Sequence, residues 1–151
     1  MLDDRDRRLL RHLQADPQQS TAALAEAARL PLATCYKRLE KLQEAGILKG
    51  QSVEINWPAL GYAVEVSLRI TLDKTNPRAF DEFLAAARDV PEVTELQTFL
   101  GRVDVRLKVI AKTMAHYQDI YRTRLLTLPH IADIEALMQV ATIKNQQTLP
   151  L

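Results

Sequence analysis

Two stretches of strict two-residue alternation constrain this chain more than any other feature: Val64, Val66, Leu68, Ile70 and Leu72, and later Val103, Val105, Leu107 and Val109. Alternation at period two marks a strand with one face turned to a core. Each stretch opens a unit of the same plan. After the first, Asn76-Pro77 predicts a helix start running to about Arg88, and Val93 to Leu100 a second strand. After the second, Thr113 predicts a helix to about Thr127, and Ile131 to Ile143 a last strand. The units are tied by a repeat: Val90-Pro91-Glu92-Val93 and Leu128-Pro129-His130-Ile131 match as apolar-Pro-x-branched, 38 residues apart. The order β-α-β-β-α-β is the split ferredoxin-like pattern, an antiparallel sheet with both helices on one face. On this reading the other face is apolar and uncovered, so the second half is expected to assemble subunits.

The first 50 residues carry a different period. Leu9, Leu10 and Leu13 follow helical spacing behind Asp3, an N-cap residue; Leu24, Ala25 and Ala28 do the same behind Ser20. Cys35, Leu39 and Leu42 form a third stripe, ended by Gly46. Three short amphipathic helices sharing one core, the last two separated by Arg29-Leu30-Pro31, have the layout of a helix-turn-helix DNA reader. Subtracting the buried stripe from the third helix leaves Thr34, Lys37, Arg38 and Lys41 at i, i+3, i+4 and i+7, a cationic ridge suited to duplex phosphates and base edges. Ile47 to Asn56 then reads as two short strands around Gly50-Gln51, a wing attached to the helices. The overall class is therefore α+β, a winged helix-turn-helix followed by a ferredoxin-like domain. The expected boundaries are 1–56 for the reader, 57–61 for a hinge marked by Pro58 and Gly61, and 62–151 for the assembly domain.

Charge and composition set the function classes. An apolar fraction of 47% in 151 residues supports real cores. No apolar run approaches the roughly 20 residues of a membrane span and the start lacks a signal peptide, so a cytoplasmic protein with no membrane partner is expected. The net charge of +1 divides unevenly: residues 1–50 hold nine Lys/Arg against seven Asp/Glu, the rest eleven against twelve. A reader so weakly charged gains affinity by linking copies, which raises effective concentration. Cys35 is the sole cysteine and reads as a small core residue, while His12, His116 and His130 lie far apart without companions at metal spacing. No catalytic residue, metal site or cofactor is expected. An adaptor that senses a ligand and binds protein through its helical half remains an alternative to the DNA reader, and Lys37, Arg38 and Lys41 separate the two.

With both halves in view, the chain resembles the Lrp/AsnC (feast/famine) family of transcriptional regulators. The resemblance is carried by Leu2-Asp3-Asp4-Arg5-Asp6 with Leu9-Leu10, by Leu24-Ala25, by Cys35 to Leu42 followed by Gly46-Ile47-Leu48, by Gly101-Arg102-Val103-Asp104 on the family's G-x-x-D loop, and by Ile143-Lys144 to Leu151 at the end. It implies a regulator that binds double-stranded DNA as a homodimer assembling to an octamer and responds to an amino-acid effector. The implied effector positions are Leu100, Gly101, Arg102, Val103 and Asp104; equally, Gly101 and Asp104 fit a simple tight turn between strands. The chain departs from the family pattern at Arg102, Val103 and Val105, and Pro31 replaces the usual Ser before the third helix, so base reading is expected from Thr34, Tyr36, Lys37 and Arg38, with Lys41 on the same ridge.

Overall fold

Asp3 begins the first helix by reciprocal capping. Its Oδ1 accepts the Asp6 N–H at 2.8 Å while its own N–H donates to Asp6 Oδ2 at 3.1 Å, starting α1 (Asp4–Ala15). The computed structural model describes residues 2–145 and 148–151. Helix α2 (Thr21–Ala27) is capped by Ser20, whose Oγ accepts the Ala23 N–H at 3.1 Å. Helix α3 (Leu32–Glu44) follows Pro31, which supplies no side-chain cap but a backbone angle that suits helix entry. Leu9, Leu24, Ala25, Ala28 and Cys35 are buried together beneath the three helices. Gly46 ends α3 in the left-handed region, and the Ile47 and Leu48 N–H groups both donate to Leu42 O.

The predicted wing does not form as paired strands: residues 47–56 have no regular structure. A two-stranded ribbon is marginal without a core to lie on, and here Val53 and Ile55 stay exposed instead of finding one. The segment is held by Gln51, whose Nε2 donates to Pro17 O at 2.6 Å.

The second unit begins with a short 3₁₀ turn, Pro58–Leu60, and then follows the predicted order: β1 (Val64–Leu72), α4 (Ala79–Arg88), β2 (Val93–Thr98), β3 (Val105–Ala111), α5 (Met114–Ile120) continuing into a π-helical turn Tyr121–Leu125, and β4 (Ile131–Met138). The sheet order is β2-β3-β1-β4 with every neighbouring pair antiparallel. Alternate residues of β1 and β3, from Val66 to Leu72 and from Val105 to Ala111, are buried with Phe83 of α4 and with Ile120 and Leu125 beyond β3.

Four expectations are corrected. Helix α4 starts at Ala79, because Asn76 Oδ1 is spent on the Arg78 N–H (2.9 Å) in an Asx turn before the helix. Strand β4 stops at Met138, opposite Val66 near the start of its partner β1, and beyond it Val140 and Ile143 are exposed. Val103 lies in the β2–β3 loop, outside the strand that starts at Val105. The open face of the sheet is not apolar. It presents Glu65, Arg69, Arg106, Lys108, Glu95 and Glu135, cross-linked by Lys108–Glu65 (2.8 Å), Lys108–Glu95 (3.5 Å), Arg106–Glu95 (3.8 Å) and Arg69–Glu135 (3.7 Å).

The chain divides into two compact units, Met1–Glu54 with Lys144–Leu151, and Ile55–Ile143. The final segment therefore sits with the first unit, whereas 62–151 was expected together. There Gln14 of α1 takes both backbone groups of Leu149 (N–H to Oε1, 2.7 Å; Nε2 to O, 3.4 Å), and Arg11 Nε donates to Leu151 O at 2.8 Å.

Candidate nucleic-acid interface and effector loop

Helix α3 is fixed from below by Cys35 and Leu42, both buried, so its outer surface is set by the 3.6-residue period. Tyr36, Lys37 and Lys41 are exposed and Thr34 is half-buried. Arg38 is not part of that free surface. Its Nη1 reaches Asp3 Oδ2 at 2.8 Å and Asp6 Oδ1 at 2.6 Å, and its side chain is only 22% exposed. The guanidinium clasps the two acids that cap α1, tying the start of the first helix to the middle of the third. The charge pattern follows: the Asp6 N–H and Arg38 hold the Asp3 carboxyl down at about 2, and Asp3 and Asp6 raise Arg38 in turn. The ridge predicted from Thr34 to Lys41 is thus interrupted at Arg38. The outward face runs through Ala33, Tyr36, Lys37 and Glu40, at i, i+3, i+4 and i+7. Glu40, which the sequence reading left out of the ridge, is exposed on the same face as Lys37.

The second candidate region is the loop joining β2 to β3. Gly101 lies at φ 154, a region that a side chain disfavours, and Leu100, Gly101 and Arg102 are exposed, with Val103 half-buried. Asp104 turns inward. Its Oδ2 accepts the Leu72 N–H at 2.8 Å, its Oδ1 the Lys74 ammonium at 2.8 Å, and its own N–H donates to Ile70 O at 3.0 Å. Burial alone opposes ionisation of this carboxyl, but the Lys74 ammonium and the Leu72 N–H outweigh it and leave the pKa below the usual carboxylate range. Asp104 therefore holds the loop to the end of β1 with both oxygens engaged. Lys74, whose role the sequence reading missed, completes that hold. Thr71 Oγ1 adds a bond to Arg102 O at 3.3 Å, and the Arg106 guanidinium lies 5.9 Å from the centre of the Phe99 ring. The loop is a fixed platform with Leu100 and Arg102 at its outer edge.

Comparison with known families decides between readers of this shape. A family model described as the Lrp/AsnC ligand binding domain matches residues 65–149, more than half of the chain, and one described as winged helix-turn-helix DNA-binding matches residues 2–49. The chain belongs to the Lrp/AsnC family. It is a DNA-binding transcriptional regulator of that type, with its helix-turn-helix at the start and a four-stranded antiparallel sheet with helices after it. Among relatives, it is 30% identical to the transcriptional regulator AzlB of Bacillus subtilis over 151 residues, covering all of this chain and 96% of that protein. It is 29% identical to the DNA-binding transcriptional activator DecR of Escherichia coli, covering all of this chain and 99% of that one. Among solved structures, a feast or famine regulatory protein from M. tuberculosis in complex with L-methionine superposes with a TM-score of 0.85 at 25% identity, covering 99% of both chains. A transcriptional regulator from Neisseria meningitidis, also in an L-methionine complex, superposes at 0.90 over 99% of this chain and 97% of that one; at 23% identity it speaks for the fold alone.

In this Lrp/AsnC chain Cys35 is buried in the reader's core, and that burial pushes its thiol pKa up, away from the reactive thiolate. Among the described residues no group of three or more His, Cys, Asp or Glu is placed to hold a metal ion, and no helix is long and apolar enough to cross a membrane.

Proposed function

We propose that this protein is an amino-acid-responsive regulator that binds operator duplexes in the cytoplasm as a homodimer, with dimers assembling to an octamer, and that it performs no catalysis. The exposed surface of α3 enters the major groove. Thr34, Tyr36, Lys37 and Lys41 are among its contact residues, and Arg38 positions the helix from within. The effector is taken at Leu100, Gly101, Arg102 and Val103, with Asp104 shaping the loop; a free guanidinium at Arg102 suits the carboxylate of an amino acid. The observation that carries this reading is a loop whose acid is consumed internally while its cation makes no ion pair among the described residues.

One solved relative at 25% identity is an L-methionine complex, so L-methionine heads the screen. A ligand held only by the folded protein raises its melting temperature by mass action. Thermal melting with each of the twenty amino acids should reveal at least one that stabilises the wild type and fails to stabilise Arg102→Ala. If none shifts the wild type, the effector reading is wrong. If Arg102→Ala responds like the wild type, the loop's cation is not a contact.

A further inference from the structure

We infer that the operator is read by Ala33, Tyr36, Lys37 and Glu40, and that the element they read is a G·C pair with thymine beside it, Lys37 donating to guanine and Glu40 accepting from cytosine. This rests on the DNA-binding function above and adds the identity of the readers and of the bases. All four side chains are exposed and fall at i, i+3, i+4 and i+7 on the first three turns of α3. That is the part of a recognition helix that meets base edges.

Glu40 carries the inference. A carboxylate on a face presented to a polyanion is repelled by every phosphate it nears, so it adds nothing to general affinity. Its return comes only where a base offers a donor, and in the major groove the cytosine N4 amino group is the donor that Asp and Glu pair with. Where that amino group is missing the carboxylate is desolvated beside phosphate with no partner, which rejects the wrong sequence actively. Among the described residues Glu40 makes no ion pair with Lys37 or with any other cation, and Lys37 pairs with no acid. Both are free to face the groove. Lys37 lies one turn before Lys41 and three residues before Glu40, close enough for the two opposite charges to address the two bases of one pair, guanine O6/N7 and cytosine N4. One turn earlier, the Ala33 methyl and the exposed Tyr36 ring offer apolar surface, which the thymine C5-methyl matches. Arg38, the strongest guanine reader by residue type, is withdrawn into the clasp with Asp3 and Asp6, which leaves Lys37 as the cation of this face.

The test is in vitro selection from a randomised duplex library with the full-length wild type, Lys37→Ala and Glu40→Gln, all at exposed positions and each checked by thermal melting. The wild type should enrich half-sites with a fixed G·C pair next to thymine. Both variants should lose enrichment at that pair while keeping the rest of the site, and Glu40→Gln should bind random-sequence duplex at least as tightly as the wild type. On the DNA side, 7-deazaguanine at the read position should weaken wild-type binding by roughly 5- to 150-fold and leave Lys37→Ala unaffected. Selection of an unchanged motif by both variants would overturn the assignment while leaving DNA binding intact. Failure of the wild type to retain any duplex would instead overturn the function on which it rests.

Discussion

The two units each contain a basic residue closed onto a buried acid, and the pair of clasps behaves differently. In the first, Arg38 spans 32 residues and more to Asp3 and Asp6, locking helix to helix, with Asp3 half in solvent. In the second, Asp104 is almost wholly enclosed and Lys74 is the exposed partner, so the acid's second bond, to the Leu72 backbone, matters most. Both clasps use a residue that its motif had marked for ligand contact. The lesson is that spacing and loop position show where a polar residue leaves the chain but not whether its side chain is spent inside the fold.

The two clasps differ most at Asp104. Asp104→Ala strands the Leu72 N–H and frees the loop, and a loss of about 2–3 kcal/mol is expected in denaturant unfolding, because an unmet buried donor bears its full desolvation penalty. Asp104→Asn, which keeps an acceptor, should lose less. Arg38→Ala should destabilise the protein by roughly 1–2 kcal/mol through the shielded Asp6, and Arg38→Lys should recover only part of that, since one ammonium cannot reproduce the guanidinium's grip on two carboxylates. Equal losses for Asp104→Ala and Asp104→Asn would show that the Leu72 bond is not what the acid provides.

Acid sharpens the contrast by acting on both clasps at once. Asp3 is held at about 2 against its usual 3.8, and Asp104 is also lowered. A depressed folded pKa gives stability that is present above the unfolded value and is lost as pH falls through the folded one. Unfolding monitored from pH 5 down to pH 2 should therefore show stability falling below about pH 4, with the fall shallower in Arg38→Ala and in Asp104→Ala than in the wild type. Parallel curves for all three would mean that neither clasp responds to acid.

How far the sequence led depends on whether the signal was local. Alternation placed β1 on its observed residues, and spacing placed the buried stripes of the three N-terminal helices, because both follow from neighbours within a turn or a pleat. Element ends were less legible: β4 stops opposite Val66, near the start of its partner strand, and no residue of β4 encodes that. The wing failed for the same reason, since pairing needs a surface to pack on. Arg38 was misplaced because a helical wheel shows only which side a residue leaves by, and its acids lie more than thirty residues away. The polar open face was legible and was overlooked. Glu65, Ser67, Arg69 and Thr71 stand between the apolar residues of β1 and already described it. Of the loop between β2 and β3, the glycine and the turn were visible, but the direction of Asp104 depends on Lys74 and Leu72 at the end of another strand.

The most direct test of the central claim, that the outer surface of α3 meets DNA while Arg38 holds it from behind, is the salt dependence of duplex affinity in the wild type, Lys37→Ala and Arg38→Ala. The wild type should show a steep log-log slope of about −0.9 per phosphate contact. The Arg38→Ala slope should match it even where affinity drops, and Lys37→Ala should lose at most one contact from it. A flat wild-type response would contradict DNA binding by this surface, and a slope reduced by about 0.9 in Arg38→Ala with unchanged stability would make Arg38 a phosphate contact and the clasp a fiction.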